Sequence, residues 1–360
     1  MMMMMMMMKS SLSGAFLVLL LCSDVSGQSV LLKFYTFVQD YKTWQDAQSF
    51  CRNGSPNYND LATMTTDSDI SRMYLHQFRA WIGLKKSGSD SWLWPDGQSD
   101  LFSYTWESNE PNSGEDCASI FNTRNNKIYG ARCERYFFFI CSKSDGNYHY
   151  EFIPLTKTWS EAQDYCRNNK SDLAVLKYLS DPHFSGNSFP IWVGLYRDGE
   201  TWSWSSGFSE YRNWKSGGQS NNGDCVTILS TNKEMVARPC SDRFPFICYR
   251  DNLVLINDSK TWYEALDHCR ALGLELVSVQ PGPDHKYMMA KIMAANTEEV
   301  WTGLHFLGGD WLWINGADML YSDLPVCPIN GQHCGVLTKN NTKSIETRRC
   351  SEKRNFLCYK

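Results

Sequence analysis

Nine residues written three times constrain this chain more than any other feature. They run from Thr43 to Cys51, from Thr158 to Cys166 and from Thr261 to Cys269. Each copy begins Thr-Trp, has an Ala three residues after the Trp, and ends in a Cys seven after it. The residue before the Cys is Phe50, Tyr165 or His268. Trp, Ala and Cys at i, i+3 and i+7 share one face of a helix. Thr suits the N-cap, and Asp46, Glu161 or Glu264 puts a negative charge in the first turn. The spacing predicts three short amphipathic helices whose buried stripe ends in a Cys, so each helix is stapled to another part of the chain.

The cysteines say what kind of staple this is. Of 14 cysteines, Cys22 falls in a segment expected to be removed. Twelve of the rest form three sets of four: Cys51, Cys117, Cys133 and Cys141; Cys166, Cys225, Cys240 and Cys248; Cys269, Cys334, Cys350 and Cys358. Cys327 is left over. None of the twelve follows a C-x-x-C metal spacing, and an exported chain favours disulfides. Each set of four allows three pairings, and the sequence alone does not choose among them.

Residues 1–27 carry the export signal. Lys9 supplies a positive flank, Ala15 to Leu21 an apolar core and Val25-Ser26-Gly27 a small-residue cleavage site. The core is too short to span a bilayer. No later stretch approaches eighteen apolar residues, and the chain ends two residues after Cys358. These features predict a secreted, soluble protein without a membrane span. Sequons at Asn53, Asn169, Asn257 and Asn340 suit that compartment. A net charge of -4 offers no basic surface for nucleic acid or anionic membrane.

Repetition at this length predicts three domains: 28–143, 144–250 and 251–360, after the signal segment 1–27. The first opens with a strand-like run at Val30–Phe37, then the stapled helix. A second helix is expected to begin at Thr66–Asp69, with Ile70, Met73 and Tyr74 on one face. Its counterpart in the second repeat, Leu176 to His183, is broken by Pro182. Trp81-Ile82-Gly83-Leu84, Trp192-Val193-Gly194-Leu195 and Trp301-Thr302-Gly303-Leu304 read as short apolar strands. The Gly in each marks a place where another backbone comes close. Trp-x-Trp pairs follow at 92–94, 202–204 and 311–313, and recurrence at matching positions assigns them to the core. Linkers are short, Ser142 to Asn147 and Tyr249 to Asp251, so three compact modules in close succession are expected.

Helix-Cys, the W-x-G-L strand, the W-x-W pair and three closing cysteines, in that order three times, resemble the C-type lectin-like domain. The resemblance covers nearly the whole chain after residue 27. It implies an α+β fold in which each domain has two helices, antiparallel sheets, a long loop region and two disulfides. The pairing it implies is Cys51–Cys141 with Cys117–Cys133, Cys166–Cys248 with Cys225–Cys240, and Cys269–Cys358 with Cys334–Cys350. The outer bond would close each module and the inner bond would pin its long loop.

Sugar-binding members of the family hold calcium with a Glu-Pro-Asn tripeptide, a following Glu and an Asn-Asp pair before the third Cys. Such a hard cation needs about 6–8 oxygens, and two vicinal sugar hydroxyls complete the set. The proline, normally cis, turns both flanking side chains to one point. Glu-Pro-Asn goes with mannose-type ligands. The first repeat carries Glu110-Pro111-Asn112 and Glu115, and the resemblance makes Glu110, Asn112 and Glu115 metal ligands and all four residues sugar contacts. The Asn-Asp position instead reads Ile128-Tyr129-Gly130, with Asn125 and Asn126 nearby. The second repeat has Gly218-Gln219-Ser220, Gly223 and Met235-Val236-Ala237. The third has Cys327-Pro328-Ile329, Gln332 and Ile345-Glu346-Thr347. The first repeat therefore keeps at most a partial calcium and sugar site, the alternative being a loop remnant that no longer holds metal; the other two are expected to be metal-free, and Cys327 is a candidate for covalent dimerisation.

No catalytic constellation accompanies this frame. His76, His149, His183, His268, His285, His305 and His333 form no H-E-x-x-H and pair with no nucleophile. Two binding functions remain. One is a secreted recognition protein for glycans or glycoproteins, similar to soluble mannose-receptor-type repeats and by that resemblance suited to innate defence. The other is a calcium-independent protein-binding scaffold or decoy.

Overall fold

Three ten-residue helices form where the repeats place them: α1 (Trp44–Asn53), α2 (Trp159–Asn168) and α3 (Trp262–Ala271). Thr43, Thr158 and Thr261 cap them by accepting from the backbone N–H three residues on. Glu161 and Glu264 complete capping boxes by reaching back to the cap N–H. The Trp, Ala and Cys of each motif are buried. The computed structural model describes residues 31–360 apart from 55–57, 66–68, 72, 74, 76, 89, 100, 102–103, 123–126, 145–147, 177–185, 207–208, 220–222 and 329–330. The signal segment lies outside the described residues.

Each helix belongs to an arm: a strand before it and a two-residue strand after it. The arms span residues 33–61, 148–173 and 253–276. Each repeat continues into a body of mostly antiparallel strands, at 79–144, 190–251 and 299–359, in which the W-x-G-L strand runs parallel to the closing strand. In the third repeat the arm closes on its own body. Leu253–Lys260 pairs with Arg354–Tyr359, and Cys269 is bonded to Cys358. This is the expected module, with its own core around Trp262, Trp301 and Phe356.

The first two repeats exchange arms. The strand Lys33–Lys42 pairs with Phe244–Asp251 of the second body, and Tyr148–Lys157 pairs with Phe137–Ser144 of the first. The indole of Trp44 donates to Val193 O at 2.8 Å, and that of Trp159 donates to Ile82 O at 2.9 Å. The body tryptophans reciprocate: Trp192 donates to Lys42 O and Trp81 to Lys157 O. The disulfides follow the arms. Cys51 is bonded to Cys248 and Cys141 to Cys166, which corrects the expected Cys51–Cys141 and Cys166–Cys248. The inner bonds Cys117–Cys133, Cys225–Cys240 and Cys334–Cys350 are as expected.

The linker supplies a physical reason. Phe137–Ser144 and Tyr148–Lys157 form one antiparallel hairpin, with Ser144 opposite Tyr148. A connection this short favours local pairing of its flanking strands. The second arm therefore folds back on the first body, and the first arm takes the remaining edge, on the second body. One core runs through both repeats, from Trp44 and Phe138 to Trp192 and Phe246. Instead of three compact modules, the described residues form two compact units: residues 33–251, and 252–360 together with Leu31 and Leu32.

The glycine of each W-x-G-L strand is required by a crossing backbone. A Cβ at Gly83, Gly194 or Gly303 would lie 2.9 Å from the carbonyl oxygen of Leu173, Leu61 or Leu276. Each of those leucines belongs to the short strand after a helix. In the first two repeats the crossing strand again comes from the exchanged arm. Of the Trp-x-Trp pairs, Trp94, Trp204 and Trp313 are buried as expected. Trp92 and Trp202 are only half-buried, against the long-loop residues Trp106 and Trp214.

Helix content differs from expectation. Among the described residues of 66–74 the chain makes turns, and Tyr74 lies outside them. Most of the second repeat's segment, Pro182 and His183 included, is outside as well. The third repeat has the second helix that the resemblance implied, α4 (Pro283–Ile292), though its position was not read from the sequence.

Candidate functional site

The long loop of the first body turns at a cis Glu110–Pro111 peptide. On one side of the proline, Glu110 Oε2 accepts from Gly130 N–H at 2.8 Å. On the other, Asn112 donates from its backbone N–H to Glu115 Oε2 at 2.9 Å. The Asn112 side-chain amide lies between the two carboxylates, 3.1 Å from Glu115 Oε2 and 3.4 Å from Glu110 Oε1. Glu110, Asn112 and Glu115 thus converge on one point, with Pro111 as the turn that brings them there.

The facing strand, Lys127–Ala131, does not supply the missing half, for a reason the sequence did not show. Gly130 does more than lack a carboxylate. A Cβ there would lie 2.6 Å from Glu115 Oε2, 2.9 Å from Pro111 Cβ and 3.0 Å from Glu110 Oε2. The two glutamates occupy the space that a side chain would need. Tyr129 is not aimed at them, because its hydroxyl donates to Glu107 Oε2 at 3.2 Å. Behind the strand, Arg79 donates to Gly130 O and, through Nε, to Ser119 Oγ.

This arrangement sets the protonation of the pair. Partial burial, then the charge of Glu115, raise the Glu110 carboxyl above its ordinary range, against the opposing Gly130 N–H. Burial acts on Glu115 in the same sense, but the two donors of Asn112 outweigh it and hold Glu115 below the ordinary range. Arg79 lowers both. Two carboxylates and an amide fit a hard cation on one side only. Tyr129 and Gly130 offer no side-chain oxygen toward it, and Asn125 and Asn126 lie outside the described residues.

A sign follows for pH. With its folded pKa raised, Glu110 adds stability below its ordinary titration range and loses that contribution as pH rises through the raised value. Glu110→Gln, measured in chelator, should therefore stabilise the chain slightly at pH 7, by less than ~1 kcal/mol for so exposed a pair. The gain should vanish at pH 4. Paired thermal melts at the two pH values check this, and destabilisation at pH 7 would contradict it.

The second repeat closes the same loop with backbone. At the position equivalent to Gly130, Ala237 donates its N–H to Gly218 O at 2.8 Å. Lys215 N–H reaches Met235 O, and Gly223 has φ 136° with Arg238 packed against it. No carboxylate is present there among the described residues. In the third repeat Glu346 is paired with Arg348. His305, Cys334 and Cys350 lie close together, but the two sulfurs are bonded to each other and are not available to a metal. Cys327 is exposed and unbonded, and Ile329 lies outside the described residues. Asn53, Asn169, Asn257 and Asn340 are all exposed.

The remaining histidines are structural where described. His149 is an exposed strand residue. His285 is buried against the Tyr321 hydroxyl, and His305 packs on Trp262 and meets the Tyr263 hydroxyl. His76 and His183 lie outside the described residues. No helix among the described residues is long and apolar enough to cross a membrane.

A family profile described as "Lectin C-type domain" matches residues 40–143, 155–250 and 258–360. Bos taurus secretory phospholipase A2 receptor is 22% identical over 91% of this chain, but the match spans only 28% of the receptor. Homo sapiens C-type mannose receptor 2 is 20% identical over 79% of this chain and 24% of its own length. The chain thus spans about a quarter of the long receptors it matches. Homo sapiens lithostathine-1-alpha is 32% identical over 28% of this chain and 71% of its own. The crystal structure of human lithostathine aligns with a TM-score of 0.27 at 23% identity, covering 29% of this chain and 80% of that one.

Proposed function

The chain belongs to the C-type lectin domain family, and from that premise we propose that it is a secreted recognition protein that binds glycans or glycoproteins. Its sequence modules are 28–143, 144–250 and 251–360, preceded by the export signal 1–27. The reading is of a binding protein and not of an enzyme. One observation carries it: Glu110, Asn112 and Glu115 converge on a single point beside a cis proline. A hard cation bound there would supply the charge that orients two vicinal hydroxyls. The residues present hold at most half its shell, so affinity should be at the weak end for extracellular sites. Cys327 remains the candidate for a covalent dimer, and recognition through the other repeats would not involve metal.

Calcium titration of the full chain tests this reading. If the site binds with Kd of about 1 mM, calcium at about 10 mM stabilises the fold by ~1.4 kcal/mol. That appears as a rise in Tm which Glu110→Gln removes. Retention on mannose-agarose should follow the same dependence and be released by chelator. No shift, or a shift that survives Glu110→Gln, would sink the calcium-dependent half of the reading.

A further inference from the structure

The seam of the arm exchange holds a half-open cavity of about 270 Å³ that the Glu110 loop does not touch. Its wall comes from three pieces of chain: Tyr136 of the first body, Leu155 to Lys157 and Glu161 of the second arm, and Ser241 to Phe244 of the second body. Tyr136 and Arg243 occupy equivalent positions, each three past the third cysteine of its repeat. Here they meet each other, with the guanidinium 4.8 Å from the ring centre. The strand register slips between Phe137 and Phe139 of the first body, opposite Ile153 to Lys157. That irregularity places Leu155 and Thr156 in the wall.

Comparison with the sequence-equivalent place in the first arm shows what is unusual. There, Asp40 stands four before the helix Trp and pairs with Lys42 at 2.9 Å and Arg135 at 3.8 Å. The position equivalent to Asp40 in the second arm is Leu155. Lys157, the counterpart of Lys42, has no ion-pair or hydrogen-bond partner for its ammonium among the described residues. Among the described residues the Arg243 guanidinium is partnered by the tyrosine ring alone. Asp242, the counterpart of Arg135, lines the same space, and its carboxylate accepts no hydrogen bond among the described residues. Burial raises that carboxyl above its ordinary range, against the charges of Arg238 and Lys157. Glu161 is already committed to capping α2.

We infer that this cavity is a calcium-independent subsite for a neutral sugar ring. It rests on the reading of the chain as a glycan-recognition protein, but on none of that site's residues. Lys157 and Arg243 balance Asp242 and Glu161 in charge, so an anion gains from two groups and is repelled by two. A neutral polyol suits the wall better, because each hydroxyl both donates and accepts. Lys157, Arg243 and Ser241 donate, Asp242 accepts, and Phe244 and Leu155 offer apolar surface. The volume lies just under the roughly 300 Å³ where drug-sized pockets begin, which matches one monosaccharide.

Retention of the full chain on mannose-, glucose-, galactose- and N-acetylglucosamine-agarose, in chelator and in a parallel series with calcium, tests the inference. Wild type should be retarded on at least one matrix in chelator and eluted by the free sugar. Leu155→Asp, which restores the ion pairing of the first arm, and Arg243→Ala should each weaken retention at least tenfold. Glu110→Gln should leave it unchanged, and melting curves verify that the variants are folded. Three results overturn the inference: no retardation on any matrix, retardation in chelator that both Leu155→Asp and Arg243→Ala leave intact, or retardation abolished by Glu110→Gln. Binding that appears only with calcium and is lost in Glu110→Gln supports the Glu110 site while rejecting this one.

Discussion

Cutting the chain between Ser144 and Tyr148 will not separate its two sides until the disulfides are reduced. A protease site inserted there, cleaved to completion and analysed in concentrated guanidinium without reductant, should give one species of full mass. Cys51 lies before the cut and its partner Cys248 after it. Cys141 lies before it and Cys166 after it. Both bonds therefore bridge the cut, and reductant should release two fragments. Under the pairing Cys51–Cys141 and Cys166–Cys248, no bond would bridge it. Denaturant alone would then part the fragments, and that outcome would disprove the exchange. The bonds close loops of 197 and 25 residues, worth about 5 and 3.5 kcal/mol if each is taken singly.

The parts of the fold that were legible in the sequence are those fixed by local chemistry. Thr caps, the Trp-Ala-Cys stripe and the W-x-G-L glycine each specify a conformation that depends on a few neighbouring residues, and all are found. The inner disulfides, which the family resemblance implied and the residues alone did not, stay within one body because each spans only 15 or 16 residues. What the repeats leave open is which body an arm closes on. Arm 1 presents the same Trp, Cys and Asp-Leu strand whichever body receives it, so its own residues do not distinguish the two closures. The deciding feature lies in the linker hairpin.

The candidate site divides in the same way. Pro111 and the convergence of Glu110, Asn112 and Glu115 follow from the tripeptide and the cis turn. The role of Gly130 does not. In the sequence it reads as a lost ligand; in the fold it is the space into which both glutamates close. Nor did the sequence single out Arg79, whose charge reaches both carboxylates from a strand some thirty residues away. Asp242 and Lys157 were invisible for a similar reason. Their neighbourhood exists only because two repeats share one seam.

Replacing Phe138 with Ala should destabilise both of the first two repeats together. The signal for this was present in the last strands, three residues before the closing Cys, where the repeats read Phe138, Pro245 and Asn355. In the self-contained third repeat Asn355 is buried and accepts from Asn296 N–H at 2.6 Å and Thr297 N–H at 3.1 Å. It ties down a loop of its own module. Phe138 is equally buried, but its ring lies 5.3 Å from Tyr41 of the first arm and 5.6 Å from Phe152 of the second. It also lies 5.5 Å from Phe189 and 6.4 Å from Phe244, next to and within the second body. One ring thus touches both arms and both repeats. Truncation of such a residue costs about 3–5 kcal/mol, which for a unit of this size lowers its Tm by roughly 10 °C. Calorimetry should show that transition fall as a single step, with the third repeat's transition unmoved. Hydrogen exchange should show strands Cys117–Phe121 and Cys225–Leu229 losing protection in parallel, because they share a core. If the second repeat kept full protection while the first lost its own, the two would be independent modules, and the single core would be the wrong account of this chain.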